Sequence, residues 1–193
     1  MLPVEIAARL KFPGRIEKAF LNYLEKSGAK VNQSKTIASQ ILYHQKETLG
    51  QNSVDFFTGQ SIGDDTNING SFIRPESEHF VIYAIKCYLT DNGGTPTADR
   101  VYENGILGNA LLVDAVNLNA VFSLTVNSVR LLKNVPLTEF DALSVTETAG
   151  YLLLNEPILW EGQTELKLNV KAKPGETFND ESLRFELIGM GLI

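Results

Sequence analysis

From Glu165 to Lys171 the chain alternates polar and apolar residues without a break: Glu165-Leu166-Lys167-Leu168-Asn169-Val170-Lys171. A period of two fits a strand with one buried and one wet face. A helix would place its apolar residues every three to four positions instead. Leu183, Phe185 and Leu187 alternate with Arg184 and Glu186 in the same way. With these two, the strand-like runs are Val54–Thr58, His79–Thr90, Ala120–Asn127, Val129–Lys133, Tyr151–Trp160, Thr164–Lys171 and Leu183–Leu192. Turn formers separate several of them: Asp91-Asn92-Gly93-Gly94, Asn104-Gly105, Glu161-Gly162 and Lys173-Pro174-Gly175. The brevity of Glu161-Gly162-Gln163 predicts a hairpin between Tyr151–Trp160 and Thr164–Lys171. A short strand near Arg100–Glu103 brings the count to about eight, the number a jelly roll uses. Long connections at Gly59–Glu78 and Leu137–Ala149 suit Greek-key crossovers. Gly105–Val116 reads as a short helix between strands.

The first part of the chain has a different character. From Arg15 to Lys26, the residues Ile16, Ala19, Phe20, Tyr23 and Leu24 recur at helical spacing, and Gly28 follows as a stop. Residues 1–50 hold eight Lys or Arg against four Glu, a balance of +4. With a net charge of −6 overall, the remainder carries −10. A basic segment on an acidic body points to an anionic partner for the segment. The helix is expected to pack on its own body or a neighbour, the competing reading being contact with membrane or nucleic acid. Ser34–Thr48 fits either a helical turn or a first edge strand. The domain organisation expected is therefore a basic arm with an amphipathic helix over 1–50 and a β-domain over 51–193. The fold class is mainly β, a single jelly-roll β-sandwich of about eight antiparallel strands with an N-terminal α-helical arm.

Glu5, Arg9 and Lys11 stand where a secretion signal needs an uncharged core, so the expected site of synthesis and residence is the cytoplasm. Cys87 is alone, so no disulfide can form within the chain, and its strand-like surroundings predict a buried, inert thiol.

The residues that carry chemistry are sparse. His44 and His79 have no second His or Cys at metal-ligand spacing, and both read as surface or rim residues. There is no phosphate loop of the G-x-x-x-x-G-K-[ST] type. Gly189-Met190-Gly191 lacks a third glycine and a following helix, so it reads as a strand-end feature. The residues from Asp65 to Glu76 match the EF-hand pattern, but strand-like flanks and Pro75 favour a polar connecting loop over a Ca²⁺ site. Asp64-Asp65 and Asp180-Glu181 read as solvated loop pairs. Trp160 reads as a core or interface anchor rather than a sugar-stacking platform. No catalytic, cofactor-binding or metal-ligating residue is assigned.

Three segments in order carry a resemblance: Phe56-Phe57-Thr58-Gly59, Asp65-Thr66-Asn67-Ile68 and Phe80-Val81-Ile82-Tyr83-Ala84-Ile85. They resemble the opening of jelly-roll capsid proteins from tailless icosahedral bacteriophages, some of them lipid-containing. Leu131–Leu137 and Gly150–Ile158 are similar to the same group. The likeness spans roughly residues 52–193 and leaves out the arm. It implies a non-enzymatic virion structural protein, made in the host cytoplasm, that self-assembles with copies of itself and other capsid proteins as a homo-oligomer. It also implies an arm that meets neighbouring subunits, genome or an inner membrane. Many members carry two jelly rolls per chain, and this chain has room for one. A single-roll major protein, a penton (vertex) protein or a minor component all fit. The competing reading is a carbohydrate- or receptor-binding sandwich, such as a phage spike or lectin-like module, with an aromatic site near Trp160, Tyr151 or Tyr102. A cupin-type enzyme would need a histidine-rich metal set that two separated histidines do not supply.

Overall fold

The structure, a computed structural model, describes residues 16–26, 28, 37–59, 66–68, 72–76, 78–90, 119–140, 151–178 and 182–192. Among these described residues eight strands carry the fold: β1 (Ile37–Glu47), β2 (Ser53–Phe56), β3 (Phe80–Thr90), β4 (Val121–Val126), β5 (Val129–Pro136), β6 (Tyr151–Trp160), β7 (Leu166–Lys171) and β8 (Ser182–Leu192). A helix, α1 (Ile16–Lys26), precedes them, and a 3-10 turn at Leu137–Phe140 follows β5. Two four-stranded sheets result, in the orders β1-β8-β3-β6 and β2-β7-β4-β5. Every pairing among these strands is antiparallel. Strand β1 runs against β8, β2 against β7, β3 against β6 and β4 against β5. The chain is thus paired as one long hairpin folded over, with β8·β3 and β7·β4 added where the folded ribbon closes into sheets.

The alternation seen in the sequence decides what lies between the sheets. Leu166, Leu168 and Val170 of β7, Val54 and Phe56 of β2, and Phe122 and Leu124 of β4 face Leu183, Phe185 and Leu187 of β8 in one core. Phe56 and Phe185 meet edge to face at 4.9 Å between ring centroids, and Phe122 lies 5.3 Å from Phe140. Aromatic pairs in such geometries add about 0.5–1.5 kcal/mol beyond the area they bury. Two sheets sharing one apolar interior are consistent with a β-sandwich.

Strand β3 is buried on both faces because α1 covers the other side of its sheet. Phe20 and Leu24 of the helix pack on Val81, Tyr83, Ala84, Ile188 and Met190. Tyr23 donates from its hydroxyl to the Pro157 carbonyl, 2.7 Å away. Gly28, with φ 76°, ends the helix, its N–H bonded to the Glu25 carbonyl. Of the two fates expected for this helix, the structure has it docked on its own sheet. A bulge in β3 between Ile82 and Ala84 turns both Tyr83 and Ala84 towards it.

One open sequence expectation is decided and two are corrected. The Ser34–Thr48 stretch, open between helix and strand, contains β1, which pairs with β8 from Ile37↔Leu192 to Glu47↔Ser182. Residues grouped with the arm by charge thus supply an edge strand. The expected hairpin between Tyr151–Trp160 and Thr164–Lys171 does not form, since β6 pairs with β3 while β7 pairs with β2 and β4. The chain instead turns a corner around the Trp160 ring, whose Nε1 donates to the Thr164 carbonyl at 3.0 Å. Gln163 donates its N–H to the Arg74 carbonyl, and Gly162 presses on the backbone of Pro75 and Glu76. These bonds send β7 into the opposite sheet. Third, neither histidine lies at the surface: His44 and His79 are each 5% exposed. The hairpin that does form joins β4 and β5, where Asn127 (φ 47°) and Ser128 (φ 64°) both adopt the positive φ a type I′ turn demands.

The expected strand at Arg100–Glu103 and helix at Gly105–Val116 lie outside the described residues. So do Asp64-Asp65, Asp180-Glu181 and Tyr102. Cys87 is buried, as expected.

Candidate ligand-binding face

The half-turn after β2 accounts for the paired aromatics. Neighbouring strand residues point to opposite faces, so burying both Phe56 and Phe57 requires the backbone to leave the strand. Phe57 does so with φ 60°, a conformation costly for a bulky residue. Both rings are fully buried. The Phe57 N–H, lost to the ladder, donates to His44 Nδ1 at 2.8 Å. The His44 ring stacks on Phe72 at 4.5 Å and meets Phe56 and Phe57 edge-on. Burial, with the nearby charge of Lys46, lowers its pKa from 6.5 to about 4. His44 is therefore a neutral acceptor that holds a strained turn. His79 accepts from the Gly162 N–H at 3.3 Å and so fixes the β6–β7 corner.

The Asp65–Glu76 segment is accounted for in part. Thr66 bridges His44 across the free edge of β1. Asn67 accepts from the Tyr43 N–H at 2.8 Å and donates to the Ile41 carbonyl at 2.6 Å. Thr66 Oγ1 donates to the Tyr43 carbonyl at 2.6 Å. An asparagine amide presents one donor and one acceptor much as a peptide does, so Asn67 extends the ladder by one pseudo-residue. Its Oδ1, which an EF-hand would turn inward, is engaged with β1. Among the described residues no group of three or more His, Cys, Asp or Glu could hold a metal ion, and no helix is long and apolar enough to cross a membrane. Trp160 is fully buried, with the Arg74 guanidinium 5.6 Å from its ring, as an anchor rather than a platform.

The outer face of the second sheet holds a concavity of about 400 Å³. The wet positions of four strands build it: Ser53 and Asp55 of β2, Lys167, Asn169 and Lys171 of β7, Ser123 and Thr125 of β4, and Arg130 and Asn134 of β5. Register places Asp55, Asn169 and Ser123 in one row and Thr125, Lys167 and Arg130 in the next. Short side chains form the floor, while the long Lys and Arg stems make the walls.

Much of the basin is already fixed. Lys167 Nζ lies 2.6 Å from Asp55 Oδ2, and Asn169 donates from Nδ2 to Asp55 Oδ1 at 2.6 Å and to Ser53 Oγ at 2.9 Å. Lys46 reaches round from β1 to donate to the Asp55 carbonyl at 2.7 Å. Burial alone would raise the Asp55 pKa. The hydrogen bonds from Lys167 and Asn169, with the charges of Lys167 and Lys46, outweigh it and hold the carboxyl below its ordinary 3.8. Across the sheet, the Asn134 N–H donates to Ser123 Oγ at 3.0 Å, and Asn134 sits at φ 49° beside the irregular register of β4 and β5. No single stretch of sequence signals this constellation, because its members sit one or two per strand. Compared with family models and with curated proteins, the chain matches none.

Proposed function

We propose that the two sheets form a jelly roll and that the chain is a structural subunit of an icosahedral bacteriophage capsid. The observation that carries this reading is the nested pairing of β1 with β8, β2 with β7, β3 with β6 and β4 with β5. A ribbon of eight strands folded once and rolled into two sheets is how a jelly roll is built, and capsid domains are prominent users of it. The three opening capsid-like motifs add support, because each has a structural role. Phe56-Phe57 closes β2, Thr66-Asn67 seals the β1 edge, and Phe80–Ile85 is packed on both faces. A fold alone does not fix a function, so the viral reading rests on these motifs together with the pairing. The lectin-like alternative loses one of its three candidate aromatics, since Trp160 is buried.

The mechanism is assembly without a catalytic step. Symmetric copies bury their edges and loop rims against each other and against other capsid proteins, as closed point-group symmetry requires. The apolar face of α1 is occupied by its own sheet, so contacts of the N-terminal region with neighbours, genome or an inner membrane fall to its polar side and to the basic residues around it. The protein is made in the host cytoplasm and resides in the virion. Light scattering on the full chain tests this. A closed oligomer or shell-like particles are expected, a pentamer assigning it to the vertex. A strict monomer at every accessible concentration would overturn the reading.

A further inference from the structure

The basin on the β2-β7-β4-β5 face runs against the net charge of the chain. The chain carries −6 overall, yet three cations and one carboxylate line this basin. The carboxylate is taken by Lys167 and Asn169. Among the described residues, Arg130 and Lys171 form no ion pair. Both are exposed, on opposite sides of the concavity. An anionic group between them would gain charge-assisted hydrogen bonds, which are about twice as strong as neutral ones.

The floor adds a second requirement. Ser53, Ser123 and Thr125 supply hydroxyls, and Asn134 and Asn169 supply amides. Because Asn169 spends its Nδ2 on Ser53 and Asp55, its Oδ1 is left as an acceptor of fixed orientation. Groups that both donate and accept, set side by side on rigid strands, match vicinal hydroxyls. Among the described residues no aromatic ring lines the basin, which disfavours stacked nucleobases. No apolar side chain among them lines it either, which disfavours acyl chains and aromatic ligands. The volume lies at the small end of the roughly 300–1,000 Å³ of small-molecule sites.

We propose that this basin binds an acidic sugar residue, its carboxylate held by Arg130 and Lys171 and its hydroxyls by the Ser, Thr and Asn floor. This site is independent of the capsid reading, and its ligand is a glycan carrying uronic-acid-type units. Saturation-transfer NMR on the full chain, with glucuronate, glucose and acetate as separate probes, tests it. Glucuronate is expected to bind with a Kd of about 1 mM or tighter. Glucose, which lacks the charge, and acetate, which lacks the hydroxyls, are each expected to bind about tenfold more weakly or not at all. The Arg130→Gln, Lys171→Gln double variant should weaken glucuronate at least about tenfold. Both residues are exposed strand positions, and an unchanged circular dichroism spectrum checks the fold. Asp55→Asn removes the one repelling charge and releases Lys167, so it should tighten glucuronate binding. Four results would overturn the assignment: no saturation transfer to glucuronate, acetate binding as well as glucuronate, indifference to the double variant, or weaker binding in Asp55→Asn.

Discussion

Acidification from pH 7 to pH 5 should destabilise this protein through one residue, His44. The folded state holds His44 at a pKa of about 4 and the unfolded chain near 6.5. A depressed folded value means that the unfolded state binds more protons, so stability is complete above pH 6.5 and falls as pH drops towards 4. Below pH 4 both states are protonated and the slope vanishes. At about 1.4 kcal/mol per pKa unit, the full effect is about 3 kcal/mol, and the part between pH 7 and pH 5 is about 2 kcal/mol. Asp55, held below 3.8, gives up its contribution only at lower pH and leaves this window clear. The physical event is protonation of Nδ1, which turns the acceptor for the Phe57 N–H into a donor facing a donor. The assay is urea unfolding at a series of pH values for the native protein and for His44→Asn, whose Oδ1 can take the place of Nδ1. The native protein should lose about 2 kcal/mol between pH 7 and pH 5, and the variant should lose far less over that interval. A flat profile for the native protein, or the same slope in both, would refute the assignment of His44 as a buried neutral acceptor.

Further outcomes follow from the packing. In Gly189→Ala the new methyl would lie 2.0 Å from the Val81 carbonyl oxygen and 2.8 Å from Phe80 Cζ. Backbone cannot yield there, so a loss of about 3 kcal/mol is expected in chemical unfolding. Phe185→Ala, at the meeting of Phe56, Phe122 and Phe140, should cost about 3–5 kcal/mol by the same measurement. Asn67→Ala should cost only about 1 kcal/mol, because its bonds are exposed. It should nonetheless accelerate hydrogen exchange at the Tyr43 amide, and unchanged exchange there would contradict the edge-sealing role.

Period-two alternation made β7 and β8 legible, because every second side chain in them enters the core. Strand β1 was not legible: its inward positions include His44 beside the buried Gln45, and its outward positions include Ile41. Hydrophobicity cannot report a face whose polar member is there to bond a neighbouring turn. Alternation also says nothing about which strand pairs with which. Trp160 and Gly162 steer β7 out of β6's sheet through contacts with residues 74–79, some eighty positions earlier in the chain. For the same reason the basin could not be read in advance. Ser53, Ser123 and Lys171 each look like ordinary wet-face residues until the register sets them side by side.

The nested pairing also sets an order of events during synthesis. Strand β8 is the last of the eight to leave the ribosome, yet it lies in the interior of its sheet between β1 and β3. Its contacts close very long loops, Gln45 to Ser182 spanning 137 residues. Until β8 arrives, β1 and β3 each lack a neighbour, and α1 lacks Ile188 and Met190 from its docking platform. Contacts of such separation slow folding and leave strand edges open meanwhile. A nascent chain stalled before residue 182 would therefore be a cohesive intermediate, and copies translated close together on one message would meet in that state. The last eleven-residue strand acts as a latch that ends this vulnerable interval.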